Sequence, residues 1–430
     1  MNRLQLTIQV LLFWLFPMRI LIHWLPILGY PMIASGLAVV EYLCLTALMF
    51  HSFQMRWNHE SLMTVLIFQL LYWIYSFYVI YYIMVDPQIP RDIMMHVPLS
   101  NVTIIQNIIT ISLVCSFVVL YQQYANLDML LRISTLFLVV MLIIHDLSGN
   151  MSVYMLQAAK ITEKHDLIKA FRMLDEISLA QYASEAFLLN LWLKDRWTKN
   201  LILNKILFWS IATLTFINVI VIAQRGPLLF LFVTVLFYLF CKGFFGIKTF
   251  LFILIVSCFA FLFSQELMSF LSEFYVFKRF FSVVEDGGTG RFGSADSEFS
   301  LAWRQISDGP FLGSYFRTLL GSRVGNYPHN FILELLMTFG VVFTIPFMIL
   351  LWYGIKNCMY AIRNNMNIAA FGLIFIYFFL LRLTSGTLFL DTEAWVAMAM
   401  MLYINQDGSG EESEDMEEEQ SDEEIDSYEG

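Results

Sequence analysis

The residues best suited to chemistry sit in two short polar interruptions of apolar sequence. In the first, Tyr327-Pro328-His329-Asn330-Phe331-Ile332-Leu333-Glu334, a Pro-His-Asn cluster runs directly into the apolar stretch 331–352, which sets an imidazole at the start of a membrane helix. The positive end of a helix lowers an imidazole's pKa, and a neutral His329 could take a proton from a sugar hydroxyl. Asn330 suits the cap of that helix, and Glu334, one turn on, could orient the ring or hold a sugar hydroxyl. In the second interruption, Gln224-Arg225-Gly226-Pro227 separates two apolar runs. The run 201–222 is long enough to cross a bilayer, whereas 227–241 covers only roughly 22 Å, so the turn between them is expected to dip below the outer surface. A guanidinium there costs on the order of 3 kcal/mol unless an anion compensates it. Gly226 permits close backbone approach, Pro227 fits a first helical turn, and the free N–H groups of a helix start favour a phosphate. The plainer alternatives are an Arg225 that snorkels or pairs with a carboxylate, and a His329 that only caps.

These residues must be held by membrane helices. The 430 residues are 59% hydrophobic and 14% charged, with a mean hydropathy of +0.68, which excludes a water-soluble globule. Apolar runs place spans near 8–28, 31–50, 61–85, 102–121, 131–145, 179–193, 201–222, 227–241, 248–264, 330–352, 368–385 and 392–405. The expected fold is therefore all-α and polytopic, with about twelve spans. Lys194, Arg196 and Lys199, then Lys242 and Lys248, then Lys356 and Arg363 follow the even-numbered spans, and by the positive-inside rule they put both termini in the cytoplasm. Lys160, Lys164, Lys169 and Arg172 fall on the other side, so the rule is not cleanly obeyed.

Two long polar stretches, 146–178 and 265–328, are then outer loops, the second between helices nine and ten. The first reads as an amphipathic helix lying on the membrane interface. The second holds Gly287, Gly288, Gly290 and Gly293, followed by Gly309-Pro310, and part of it is expected to be mobile. It also holds Arg291 and Arg304, forked donors suited to pyrophosphate, although its six bases face seven acids and each arginine alone suits a surface ion pair. Residues 1–405 form the membrane domain, and 406–430 form an acidic tail expected to be disordered. Thirteen of the 35 acidic residues lie between Asp407 and Glu429, leaving 22 acids against 25 bases elsewhere. The five cysteines are scattered through apolar sequence and suit small core positions; no metal motif, nucleotide loop or nucleic-acid patch is present.

Three of these segments resemble the bacterial O-antigen polymerase and O-antigen ligase superfamily. Gln224-Arg225-Gly226-Pro227-Leu228-Leu229 is similar to its Ser-Arg-Gly-x-Leu helix start, with Gln for Ser. Gly290-Arg291, then Trp303, Ile306 and Gly309-Pro310-Phe311-Leu312-Gly313, are similar to its outer-loop Arg, Trp and Pro-Leu-Phe-Gly-type turn. Pro328 to Glu334, with Gly340 later, resembles its His-Asn-x-x-Leu-Glu segment. The resemblance covers 201–352. It implies a metal-independent, inverting glycosyl transfer, without a cofactor, at the outer face of the bacterial inner membrane. The donor would be a glycan on undecaprenyl pyrophosphate, and a chain-length regulator is a possible protein partner. Carried over, Arg225 and Arg291 would hold the leaving pyrophosphate and His329 would activate or position the acceptor hydroxyl; Arg304, Asn330, Glu334 and Gly226 complete the expected substrate-binding set. Polymerisation of repeat units is the expected activity. The rivals are ligation of the finished chain to lipid A-core and, from another class, a lipid-linked oligosaccharide flippase or transporter.

Overall fold

The structure, a computed structural model, describes residues 3–18, 20, 21, 25, 30–85, 101–147, 176–222, 225–244, 297–313, 328–384 and 392–404. The expected span 248–264, the interfacial helix within 146–178, the glycine cluster 287–293 and the acidic tail all lie outside the described residues, apart from the ends of the first loop.

The fold is all-helical, and the described residues contain no strand. The described residues form twelve α-helices, in order: α1 (Arg3–Leu15), α2 (Pro31–Ser52), α3 (His59–Val85), α4 (Asn101–Tyr121), α5 (Leu127–His145), α6 (Glu176–Trp192), α7 (Leu201–Ile222), α8 (Arg225–Cys241), α9 (Glu298–Asp308), α10 (Phe331–Arg363), α11 (Ala369–Leu381) and α12 (Thr392–Leu402). Five of them, α2, α3, α5, α7 and α10, are long and apolar enough to cross a membrane, and five more are apolar but shorter. Eleven of the twelve expected spans overlap a described helix other than α9, which falls in the expected outer loop 265–328, and the twelfth, 248–264, is outside the described residues.

The short apolar helices form the centre. Twelve of the 13 residues of α11 are buried, as are nine of the 11 in α12. A helix apolar all round is buried either among other helices or in lipid, and α11 takes the first course. α11 is enclosed by α6, α8, α10 and α12, and α12 also packs on α4. Small residues set these distances: a Cβ at Gly372 would lie 2.6 Å from Cys358 Sγ, and one at Gly354 would lie 2.9 Å from Phe375 Cζ. Peripheral helices turn large apolar side chains outward, among them Leu43, Phe50, Leu70, Trp209, Ile349 and Trp352. Lipid, not water, is the solvent that suits such a belt.

α10 is not one straight span. Gly340 has φ 66° and ψ −170°, outside helical values. The rings of Phe331 and Phe347 are 6.4 Å apart, although 16 residues of continuous helix would separate them by about 24 Å. The chain therefore folds back at Gly340 into a short arm, 331–339, and a long arm, 341–363. The long arm, at about 34 Å, crosses a bilayer by itself. The expected span 330–352 is corrected accordingly: the crossing begins at Val341, and Asn330 lies at the inward end of a folded-back arm, with Phe331 against Phe347 and Phe379.

The loop before α10 supplies the lock for this reversal. α9 is capped by Ser297, whose Oγ accepts from Ser300 N at 3.3 Å. Its apolar face, Leu301, Ala302 and Ile306, packs on Leu333 and Met337 of the short arm. The turn that follows, Gly309 to Gly313, lies against the reversal. Val341 N donates to Pro310 O at 2.9 Å and Val342 N to Phe311 O at 3.1 Å, so two carbonyls of the turn cap the long arm. Gly309-Pro310, expected within a mobile stretch, is held in place by these bonds.

Candidate functional site

The two polar interruptions of the sequence, a hundred residues apart, meet at one place: the C-terminal end of α11. Asn330 makes the first connection. Its Oδ1 accepts from Ile332 N at 3.0 Å and Leu333 N at 3.1 Å, capping the short arm, and its Nδ2 donates to Leu383 O at 3.0 Å. Phe331 N donates to Arg382 O at 2.9 Å. The orphan donors of one helix start are thus joined to the orphan acceptors of another helix end. Gly226 makes the second connection. A Cβ there would meet Leu381 Cδ1 at 3.3 Å and Thr384 Oγ1 at 3.4 Å, so α8 begins directly beside the same α11 terminus.

His329 precedes the cap in the left-handed region, at φ 51°. It is half-buried, with Nδ1 shielded from solvent. Asparagine, aspartate and histidine enter this region more readily than other side-chain-bearing residues, but the conformation is strained and has to be enforced by its surroundings. Buried Pro328 before it and the doubly tethered Asn330 after it supply that enforcement. Glu334 is 1% exposed, and its backbone N donates to Asn330 O at 2.9 Å, the first helical bond of the arm.

Arg382, absent from the sequence-derived set, completes the group. It is 8% exposed, and its guanidinium carbon stands 5.9 Å from the centroid of the Phe378 ring. Arg382 and the buried Glu185 of α6 both lie within electrostatic reach of the Tyr377 hydroxyl, which faces Ser184. A charged residue inside the apolar run 368–385 was the signal for it, since ionisable groups in membrane segments face protein interiors or cavities.

The remaining sequence-derived residues are placed as follows. Arg225 is the first residue of α8; its side chain, and the whole of Arg291, lie outside the described residues. Arg304 is exposed on α9, opposite the face that covers the short arm. The structure thus brings together Gly226, His329, Asn330 and Glu334 with Arg382, and sets Arg304 on the far side of α9. A further polar group lies at the same end of the bundle. Asn218 Nδ2 donates to Asp146 Oδ2 at 3.0 Å, and the buried His145 holds Nδ1 3.6 Å from Asp146 Oδ1. Among the described residues, no three His, Cys, Asp or Glu side chains are gathered as a metal site would require.

Chemically, the arrangement offers a fixed buried cation, an imidazole in an enforced conformation and the positive ends of two helix dipoles, with carboxylates nearby. The first three N–H groups of the short arm are already bonded to Arg382 O and Asn330 Oδ1. An anion at this helix start would therefore meet the dipole and side chains, not free amides. Comparison with protein-family models and with curated proteins returns no match for the chain, which stands as an all-helical protein with membrane-spanning helices.

Proposed function

We propose that this protein is a membrane glycosyltransferase that polymerises oligosaccharide repeat units carried on undecaprenyl pyrophosphate. The observation that carries the proposal is the convergence of the Arg225-Gly226-Pro227 and Pro328-His329-Asn330 junctions on the α11 terminus at Arg382. A lipid-linked donor needs a cation where its pyrophosphate leaves and a group that positions the acceptor hydroxyl, both within a membrane protein. Fixed cations stabilise the charge that develops on the leaving group without reorganisation at the moment of transfer.

In this reaction the acceptor oxygen attacks the anomeric carbon from the face opposite the pyrophosphate. Its proton passes to His329 or to water, and the anomeric C–O bond breaks with its electron pair staying on the pyrophosphate. Arg225, Arg291 and Arg382 balance that charge; Asn330 and Glu334 hold the acceptor side. The twelve crossings read from the sequence put the basic end of the bundle and both termini in the cytoplasm, and the candidate site toward the outer leaflet of the bacterial inner membrane.

The test is the glycan banding pattern of the source bacterium, comparing wild type, a deletion, and the deletion complemented with Arg382→Met or Arg225→Ala. Lipid A-core carrying a single repeat unit in the deletion, unrescued by either variant, is the expected result. Core with no repeat, together with long chains retained on the lipid carrier, would make the protein the ligase. An unchanged ladder in the deletion would remove both activities for that glycan and favour a transporter.

A further inference from the structure

The end of the bundle opposite the candidate site carries positive charge that its described acids do not balance. Three connections meet there: the α6–α7 segment 193–200, the turn after α8 and the end of α10. Arg196 donates through Nη1 to Asn367 Oδ1 and through Nη2 to Asn365 O at 3.1 Å, and Lys242 Nζ donates to Asn365 Oδ1. Both cations also lie over the Trp192 ring, at 4.9 and 5.0 Å from its centroid. Lys194, Lys199, Lys356 and Arg363 stand exposed around them. Among the described residues of these three connections, Asp195 is the one acid set against six bases. Burial pushes the Lys242 pKa down, and the like charge of Arg196 adds to it.

α12 delivers the chain to the same end. Asn357 Nδ2 donates to Met401 O at 2.8 Å and to Leu402 O at 3.3 Å, and Gln122 Nε2 donates to Tyr403 O. Residues 405–430 therefore leave the bundle beside Lys356, and Asn365, the centre of the basic cluster, lies only about 12 Å further along. This segment has thirteen acidic residues and no Lys or Arg. Even as a coil its 26 residues reach about 28 Å, and extended up to about 90 Å, enough to cover all three connections.

We propose that the acidic segment 405–430 docks on this basic end of its own chain, occupying the surface that would otherwise attract anionic lipid headgroups. The proposal rests on charge and connectivity alone and is independent of the reaction the protein performs.

Zero-length carbodiimide coupling of the full-length protein, followed by mass spectrometry of its peptides, tests it. The protein is compared in nanodiscs of neutral lipid and of phosphatidylglycerol. Expected are intrachain links from tail carboxylates to Lys194, Lys199 or Lys356 in both lipids. The links should fade in about 1 M salt, where the screening length falls to about 3 Å. Links confined to neutral lipid would assign the face to anionic lipid and overturn the proposal, as would links found only between two chains, or none. Truncation after Ile404 gives an independent readout: acetylation of the three lysines should rise several-fold, and unchanged rates would also overturn it.

Discussion

Asn330 uses both ends of its amide, accepting twice on Oδ1 to cap the short arm and donating once from Nδ2 to the terminus of α11. Asn330→Ala loses all three bonds and should lower stability by about 1–2 kcal/mol, the range for a lost cap. Asn330→Ser keeps a capping oxygen and loses the bond to Leu383, so its unfolding in detergent, followed by tryptophan fluorescence, should fall between Ala and wild type. Identical transitions for all three proteins would show that the amide does not hold the two helix ends together. His329 allows a sharper separation of chemistry from stability. Its left-handed conformation costs a side-chain-bearing residue about 1–2 kcal/mol, which glycine would relieve. Glycine also loosens the unfolded chain by about 0.4–1 kcal/mol. The two effects partly cancel, so His329→Gly should unfold within about 2 kcal/mol of wild type while failing to restore the polysaccharide ladder. A complete ladder from His329→Gly would reduce His329 to a turn residue.

At the scale of elements, the fold-back of α10 depends on two glycines in backbone contact. A Cβ on Gly313 would fall 2.2 Å from Thr338 O, and one on Gly340 would fall 2.3 Å from Phe311 C and O; both residues have positive φ. Backbone cannot yield as a flexible side chain can, so overpacking of about 1–3 kcal/mol adds to the cost of the left-handed region. Gly313→Ala and Gly340→Ala should each destabilise by about 2–5 kcal/mol. Gly243 is the control: its φ is 72° but nothing lies within 4 Å of its Cβ position, so Gly243→Ala should show the conformational cost alone. Equal losses at all three positions in the same unfolding experiment would mean that the contact between turn and fold-back contributes nothing. Little of this contact was legible beforehand. The motif Gly309 to Gly313 and the later Gly340 could be recognised as separate signals, but beyond Glu334 the run to Trp352 is mostly apolar, and a lone glycine inside such a run is compatible with a straight helix. α9 was hidden by the polar average of its loop, although Leu301, Ala302, Gln305 and Ile306 do share one helical face. The helices on either side of Arg225 were readable from length, and α8 is indeed shorter than α7, with 17 residues against 22. What no local pattern carries is the meeting of Gly226 with Asn330, because α11 brings them together through packing at a sequence distance of a hundred residues.

At the scale of the whole molecule, the two ends of the bundle differ in kind. One gathers Lys194, Arg196, Lys199, Lys242, Lys356 and Arg363; the other gathers helix starts, buried carboxylates and the single buried arginine of the described residues, Arg382. Between them lies the belt of outward apolar side chains. Under the positive-inside rule this asymmetry supports the proposed orientation, with the basic end cytoplasmic and the candidate site supplied from the outer leaflet. Cysteine labelling in intact bacteria tests that orientation. The four described cysteines are all buried, so in a Cys258→Ser background a new exposed thiol should dominate the signal. Ser307→Cys, on the exposed face of α9, should react with a membrane-impermeant maleimide in intact cells. Lys194→Cys should react only after permeabilisation. The reverse pattern would turn the site toward the cytoplasm, where a glycan donor presented at the outer face cannot reach it. Transfer between lipid-linked glycans would then fail as an account of the protein, whereas the docking of the acidic segment, which needs only that both partners lie at one end of the bundle, would stand unaltered.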